Sequence, residues 1–136
     1  MKDYLVLKPT GFFKEVNGDD YTSTYKMLNN NVGGSIELVS FIEKFYEKGI
    51  DLWINEEGKL NDLDISIVIR NDNEFVDVLC GNIVFARSNE EGETIPLNEE
   101  DIVFIKKELQ KENKYISFKN PFTGTMLSGI VPVIDL

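Results

Sequence analysis

A chain of 136 residues with 42% apolar side chains, nine Phe, five Tyr and one Trp can bury the core of one domain, which excludes disorder throughout. It has no histidine and one cysteine, Cys80, so histidine-dependent triads, cysteine zinc sets and intrachain disulfides are excluded. The net charge is -10, and residues 51–101 hold 14 acids against 3 bases, whereas 1–50 hold 7 against 6 and 102–136 hold 3 against 5. Such an acidic segment repels phosphate backbones, which disfavours direct nucleic-acid binding and favours a basic protein partner.

Met1 to Thr10 contains a short apolar run bracketed by Lys2, Asp3 and Lys8, without the apolar stretch of a secretory leader, and no later run approaches the length of a bilayer span. The expectation is a cytoplasmic protein with no membrane segment. Tyr4–Leu7 reads as a first strand stopped by Pro9-Thr10-Gly11, and Phe12–Val16 as a second, followed by turn chemistry at Asn17-Gly18. From Asp20 the period changes: Tyr21, Tyr25 and Leu28 share one helix face, which predicts a helix over 20–30 capped by Asp20 and stopped by Asn29–Gly34.

Ile36–Phe41 predicts a strand with Ile36 and Leu38 on one face and Glu37, Val39 and Phe41 on the other. Ile42–Lys48 is a short helix or loop ended by Gly49. Ile50–Asn55 is a strand, and Glu56-Glu57-Gly58 reads as a hairpin tip with Gly58 in the left-handed region. Leu63–Arg70 alternates as a strand, Asn71–Asn73 breaks it, Phe75–Leu79 is mixed, and Cys80–Arg87 is the next strand before a turn at Asn89–Gly92.

Asn98 opens the best-marked helix, with Asp101 placed to close a capping box, Ile102, Ile105 and Leu109 as its buried stripe, and Lys106, Lys107 and Lys111 towards its C-terminal end. Tyr115–Phe118 is a strand, Asn120–Gly124 a turn, and Met126–Leu136 a β-rich tail whose Pro132 points to an edge position. Together these predict one α+β domain over 1–136, with a mainly antiparallel sheet, two to three helices, and 112–136 as a β-rich C-terminal extension.

For chemistry the sequence offers little. Cys80 follows Asp72, Glu74 and Asp77, which raise a thiol pKa, and reads as a buried structural residue. Asn71–Glu74 lacks the alternating oxygen ligands of a calcium loop, and the adjacent glutamate pairs point in different directions, which is poor geometry for acid–base work. Gly33-Gly34 follows a helix and precedes a strand, the reverse of a phosphate loop, so it reads as a helix end. The triplet Asn-Glu-Glu recurs at Asn55, Asn89 and Asn98. Were these turns on one side, Glu56, Glu57, Glu90, Glu91, Glu93, Glu99, Glu100 and Asp101 would make one concentrated negative surface. Trp53 would then be either a partly exposed anchor beside it or a ring packed under a helix.

The run Val32-Gly33-Gly34-Ser35-Ile36-Glu37, then Asn55-Glu56-Glu57-Gly58-Lys59-Leu60, Gly81-Asn82, and Leu97-Asn98-Glu99-Glu100-Asp101-Ile102 resembles a family of small domains of unknown function. That family occurs in phages, plasmids and integrative elements, mainly of Gram-positive bacteria. The resemblance covers about residues 3–110. It departs at 61–70, where the family carries a Pro-Asn-Arg type segment, and after Lys111. It implies a mobile-element setting and no reaction.

The expected function is that of a non-enzymatic interaction protein, without cofactor or metal. Its acidic face would bind a basic host protein surface, as an anti-defence or anti-restriction inhibitor does. The competing expectation is a small-ligand, nucleotide-type binding or sequestering module in which Trp53 or Tyr25 stacks on a base near Gly33-Gly34. Edge strands near either terminus, the tail Met126–Leu136 above all, are the expected places for pairing into a homo-oligomer.

Overall fold

The computed structural model describes residues 3–136. β1 (Asp3–Leu7) and β2 (Phe13–Asn17) form an antiparallel hairpin, and a 3-10 turn at Gly18–Asp20 leads into α1 (Thr24–Val32). β3 (Ile36–Val39), α2 (Glu43–Tyr46) and β4 (Ile50–Asn55) follow, then β5 (Ile65–Asn71), β6 (Glu74–Cys80), β7 (Ile83–Ser88), the two-residue β8 (Thr94–Ile95), α3 (Glu99–Gln110), β9 (Asn113–Lys119) and β10 (Met126–Asp135). The first sheet has the order β2-β1-β7-β4-β3 with β8 beside β7, and the second has the order β6-β5-β10-β9. Every pair is antiparallel except β5 with β10. The α+β class and the mainly antiparallel pairing are as expected.

Period-2 alternation gives the first sheet two buried faces. Tyr4, Val6, Val84 and Ala86, with half-buried Trp53 and Ile36, pack against Met27, Leu28 and Val32 of α1. Leu5, Leu7, Leu52 and Phe85 face the other way, into a core shared with Phe45 of α2, Ile105 and Leu109 of α3, and Ile67, Ile69, Leu79 and Ile134 of the second sheet. The remaining face of the second sheet holds Val68, Val78, Cys80, Leu127, Val131 and Val133. Phe75 on β6 and Phe118 on β9 lie on opposite edge strands of that sheet, yet their ring centroids are 5.9 Å apart, so the sheet curls into a half-closed roll.

Several local expectations change. α1 starts at Thr24, because Asp19 and Asp20 are used in the 3-10 turn and the Ser23 hydroxyl accepts from Lys26 N–H at 3.1 Å as the real cap. The strand expected over Ile36–Phe41 stops at Val39, and Leu38 is exposed although Ile36 is packed. Cys80–Arg87 is two strands: Cys80 ends β6, Gly81 turns the corner at φ 85, and β7 begins at Ile83. Pro132 lies inside a central strand. β10 pairs antiparallel with β9 as far as Pro132 opposite Asn113, then parallel with β5 from Val133 opposite Val68, so the missing N–H falls where the partner changes. The tail thus pairs along its length, first with β9 and then with β5, and β1 lies between β2 and β7.

The segment Asn55–Lys59 is not a hairpin tip. β4 already has β3 and β7 as neighbours, and the next strand, β5, belongs to the other sheet, so this segment carries the chain from one sheet to the other. Gly58 is absent from the glycines with positive φ. It is glycine for space: a Cβ there would sit 2.9 Å from the Cys80 carbonyl oxygen and 3.3 Å from that of Asn55. Both neighbours are backbone and cannot swing away. Gly58→Ala is therefore expected to destabilise the fold by about 1–3 kcal/mol, as overpacking does, measured as a lowered urea midpoint with unchanged m value.

Candidate functional site

The C-terminal end of α1 collects the glycine and asparagine residues singled out above. Gly33, left-handed at φ 80, and Gly34 both donate their N–H groups to the Asn29 carbonyl, at 2.9 and 3.2 Å. Asn82 Nδ2 donates to the Asn31 carbonyl at 3.0 Å, and Asn55 Nδ2 to the Val32 carbonyl at 3.3 Å. The Asn55 Oδ1 then accepts from Glu57 N–H at 2.8 Å, which orients the chain leaving β4. Val32-Gly33-Gly34, Asn55–Gly58 and Gly81-Asn82 thus meet in one structural joint. Its glycine amides are already used by Asn29, so no phosphate cradle exists there, in agreement with the element order.

The segment after the joint forms one wall of a groove. Asn120, fully buried, donates from Nδ2 to the Lys59 carbonyl at 2.6 Å and to Asp62 Oδ1 at 2.9 Å. Asp62 also accepts from the hydroxyls of Thr123 at 2.6 Å and Thr125 at 3.2 Å. This clasp ties the β9–β10 turn to the crossover and brings Phe122 beside Leu60. Phe41 and the edge of β3 form the opposite wall, the Leu38 side chain sharing the α1 face with Ile36 and Trp53, and Ile54 and Leu79 lie between. The cavity measures about 360 Å³. Phe41, Leu60 and Phe122 are 50, 53 and 63% exposed, a concentration of large apolar side chains around one concavity.

The charges lining this groove are acidic in balance. Glu37 and Glu56 are exposed, and neither has a cation partner among the described residues. Lys59 is held by Asp77 at 2.6 Å, and the same carboxylate oxygen accepts from Val78 N–H at 2.8 Å. Cys80 lies at the inner end. Burial pushes its thiol up to about 11, with Asp77, Asp64 and Asp62 adding to the rise and Lys59 opposing it, so the sulfur is protonated at neutral pH and a poor nucleophile.

The expected acidic surface splits in two. β4 and β7 are antiparallel, with Ile50 opposite Arg87 and Trp53 opposite Val84. Glu56 and Glu57 leave the far end of β4, whereas Glu90, Glu91 and Glu93 follow the far end of β7, so the two groups lie at opposite ends of the sheet, at least about 20 Å apart at the usual strand rise. Glu99 and Glu100 open α3 and are exposed at the Glu90 end, to which α3 is tied by Arg87 and Asp101. Asp101 itself is 5% exposed. It accepts from Arg87 Nε at 2.9 Å and Nη2 at 2.8 Å and from Asn98 N–H at 3.0 Å, while Asn98 Oδ1 accepts its N–H at 2.8 Å, which completes the capping box. Trp53 packs under α1, away from the groove, and its buried indole N–H has no hydrogen-bond partner among the described residues.

Leu60, Phe41 and Phe122 were absent from the sequence-based site. Only their apolarity in polar surroundings could have marked them. A family model described as Domain of unknown function (DUF3846) matches residues 1–110, which include every groove residue named here except Phe122, together with its clasp partner Asn120. No curated protein and no solved structure matches the chain.

Burial alone would raise the Asp101 pKa, but the Arg87 hydrogen bonds, the Asn98 N–H and the charges of Arg87 and Lys48 together hold it below the ordinary carboxylate range. Its stabilisation is complete above the unfolded value of about 3.9 and is lost as pH falls through the folded value. Asp101→Asn is expected to cost about 1–3 kcal/mol at pH 7 and progressively less below about pH 4, read from urea denaturation across a pH series.

Proposed function

The chain belongs to the DUF3846 family of unknown function, and we propose that it is a non-enzymatic interaction protein whose acidic, apolar groove binds a basic surface of a partner protein. The observation that carries this reading is the coincidence, at one concavity, of the exposed apolar side chains of Phe41, Leu60 and Phe122 with uncompensated Glu37 and Glu56. Affinity at protein interfaces concentrates where apolar anchors lose water, while surrounding charges select the partner and speed encounter. The Glu90 end of the sheet offers acids without that apolar set, so the groove end is the docking end and the Glu90 end adds long-range attraction.

The neutral thiol of Cys80 and the lack of histidine support action without catalysis. The resemblance to mobile-element domains supports a partner in the host cytoplasm. A nucleic-acid-binding defence or restriction factor fits, because such proteins carry basic surfaces to hold phosphates, and occlusion of that surface would make this chain an inhibitor. The nucleotide-type alternative lacks an observation in its favour, since the Gly33 and Gly34 amides are used and Trp53 lies under α1.

Combined Glu37→Lys and Glu56→Lys should weaken retention of an identified partner at least tenfold in pull-down from host lysate. Glu90→Lys with Glu91→Lys should mainly reduce the association rate and its dependence on salt. Equal retention by wild type and the Glu37/Glu56 variant would rule out the groove as the docking site.

A further inference from the structure

We infer that the partner enters the groove as an extended segment that adds a strand to the free edge of β3, alternating apolar with basic side chains. This rests on the reading of the groove as a protein-binding site and specifies how that site is filled.

Among the described residues β3 ends the first sheet, with β4 on one side only. The phase of its ladder follows from the contact between Glu56 N–H and the Ser35 carbonyl, at 2.9 Å. In an antiparallel pair the backbone groups of alternate residues face the partner. Glu37 and Val39 therefore face β4, while the N–H and C=O groups of Ile36 and Leu38 face outward, with the Leu38 backbone at the groove wall. These groups are an unused template for one more strand.

The other edges are guarded. On β6, which forms the facing wall, Asp77 takes the Val78 N–H and holds Lys59. β9 carries Lys114 and Lys119, and β2 carries Lys14 with Glu15, charges of the kind that blunt an edge. β3 reads Ile-Glu-Leu-Val, with no lysine and no proline.

Charge selects the occupant. A second copy would bring another Glu37 and a further net charge of -10 against the same edge, whereas a segment with Lys or Arg at alternate positions places cations by Glu37 and Glu56. Its cations then share the groove face with Glu37 and Glu56, and its apolar positions lie beside Leu38 on the other face.

The test uses the whole protein and a fluorescent nine-residue peptide of alternating Lys and Val, the same peptide N-methylated throughout, and a Glu–Val version. Anisotropy should show binding of the Lys–Val peptide, at least tenfold weaker binding after N-methylation, and none by the Glu–Val peptide. Amide hydrogen exchange should slow at Ile36 and Leu38 on binding. Binding of the methylated peptide within twofold of its parent, unprotected Ile36 and Leu38 amides in the complex, or no binding of the Lys–Val peptide would each overturn strand addition. The proposed function is judged separately, since loss of binding in the Glu37/Glu56 variant alongside indifference to methylation keeps the acidic groove and removes only the added strand.

Discussion

The last turn of α1 ends with carbonyl groups that no later turn of helix can satisfy, and the fold is arranged around their capping. Asn29 O receives two glycine amides, while Asn31 O and Val32 O receive the side-chain amides of Asn82 and Asn55. A buried carbonyl left without a donor costs about 1–3 kcal/mol, so these contacts fix where the strand ends that carry Asn55 and Asn82 must stop. Asn55 transmits the constraint further by holding the Glu57 amide. The direction in which the chain leaves the first sheet, and hence the position of the second, follows from a helix cap.

The groove is a product of that geometry. Two sheets that share one core meet at an angle, and their free edges face each other where the crossover and the Asn120 clasp hold them. The Lys59–Asp77 pair contributes little to stability, on the order of 0–1 kcal/mol for a half-exposed pair. Its effect on the groove is larger in another respect, because it neutralises the nearest cation and leaves Glu37 and Glu56 to set the potential. The apolar side chains provide the larger energy, since burying one fully contributes about 1.5–3 kcal/mol before the entropic losses of association.

What could be read from sequence was local. The capping box of Asn98 and Asp101 and the glycine stop at Gly33-Gly34 are short-range chemistry, and both are present as read. Ser23 was missed as a cap because Asp20, three positions earlier, has the same capacity, and only the 3-10 turn decides between them. The acids of the middle segment were plain in composition, yet their division into two groups depends on the antiparallel register of β4 and β7. The crossover at Asn55–Lys59 looks like a hairpin because the turn residues are the same; which sheet receives the next strand is a long-range matter. Phe41, Leu60 and Phe122 come together from three distant segments, and no periodicity links them.

The partner change at Pro132 bears on how the molecule is made. The first sheet pairs residues no later than Ile95, so it can assemble while the chain is still emerging from the ribosome. β5 and β6 wait for β10: Arg70 and its partner Asp135 are 65 positions apart in the chain. Until Leu127, Val131 and Val133 arrive, Val68, Val78 and Cys80 have no cover from them. Vectorial synthesis thus leaves a sticky two-stranded intermediate, and the parallel β5–β10 pairing, with its high contact order, is the step at which the nascent protein is most exposed to aggregation.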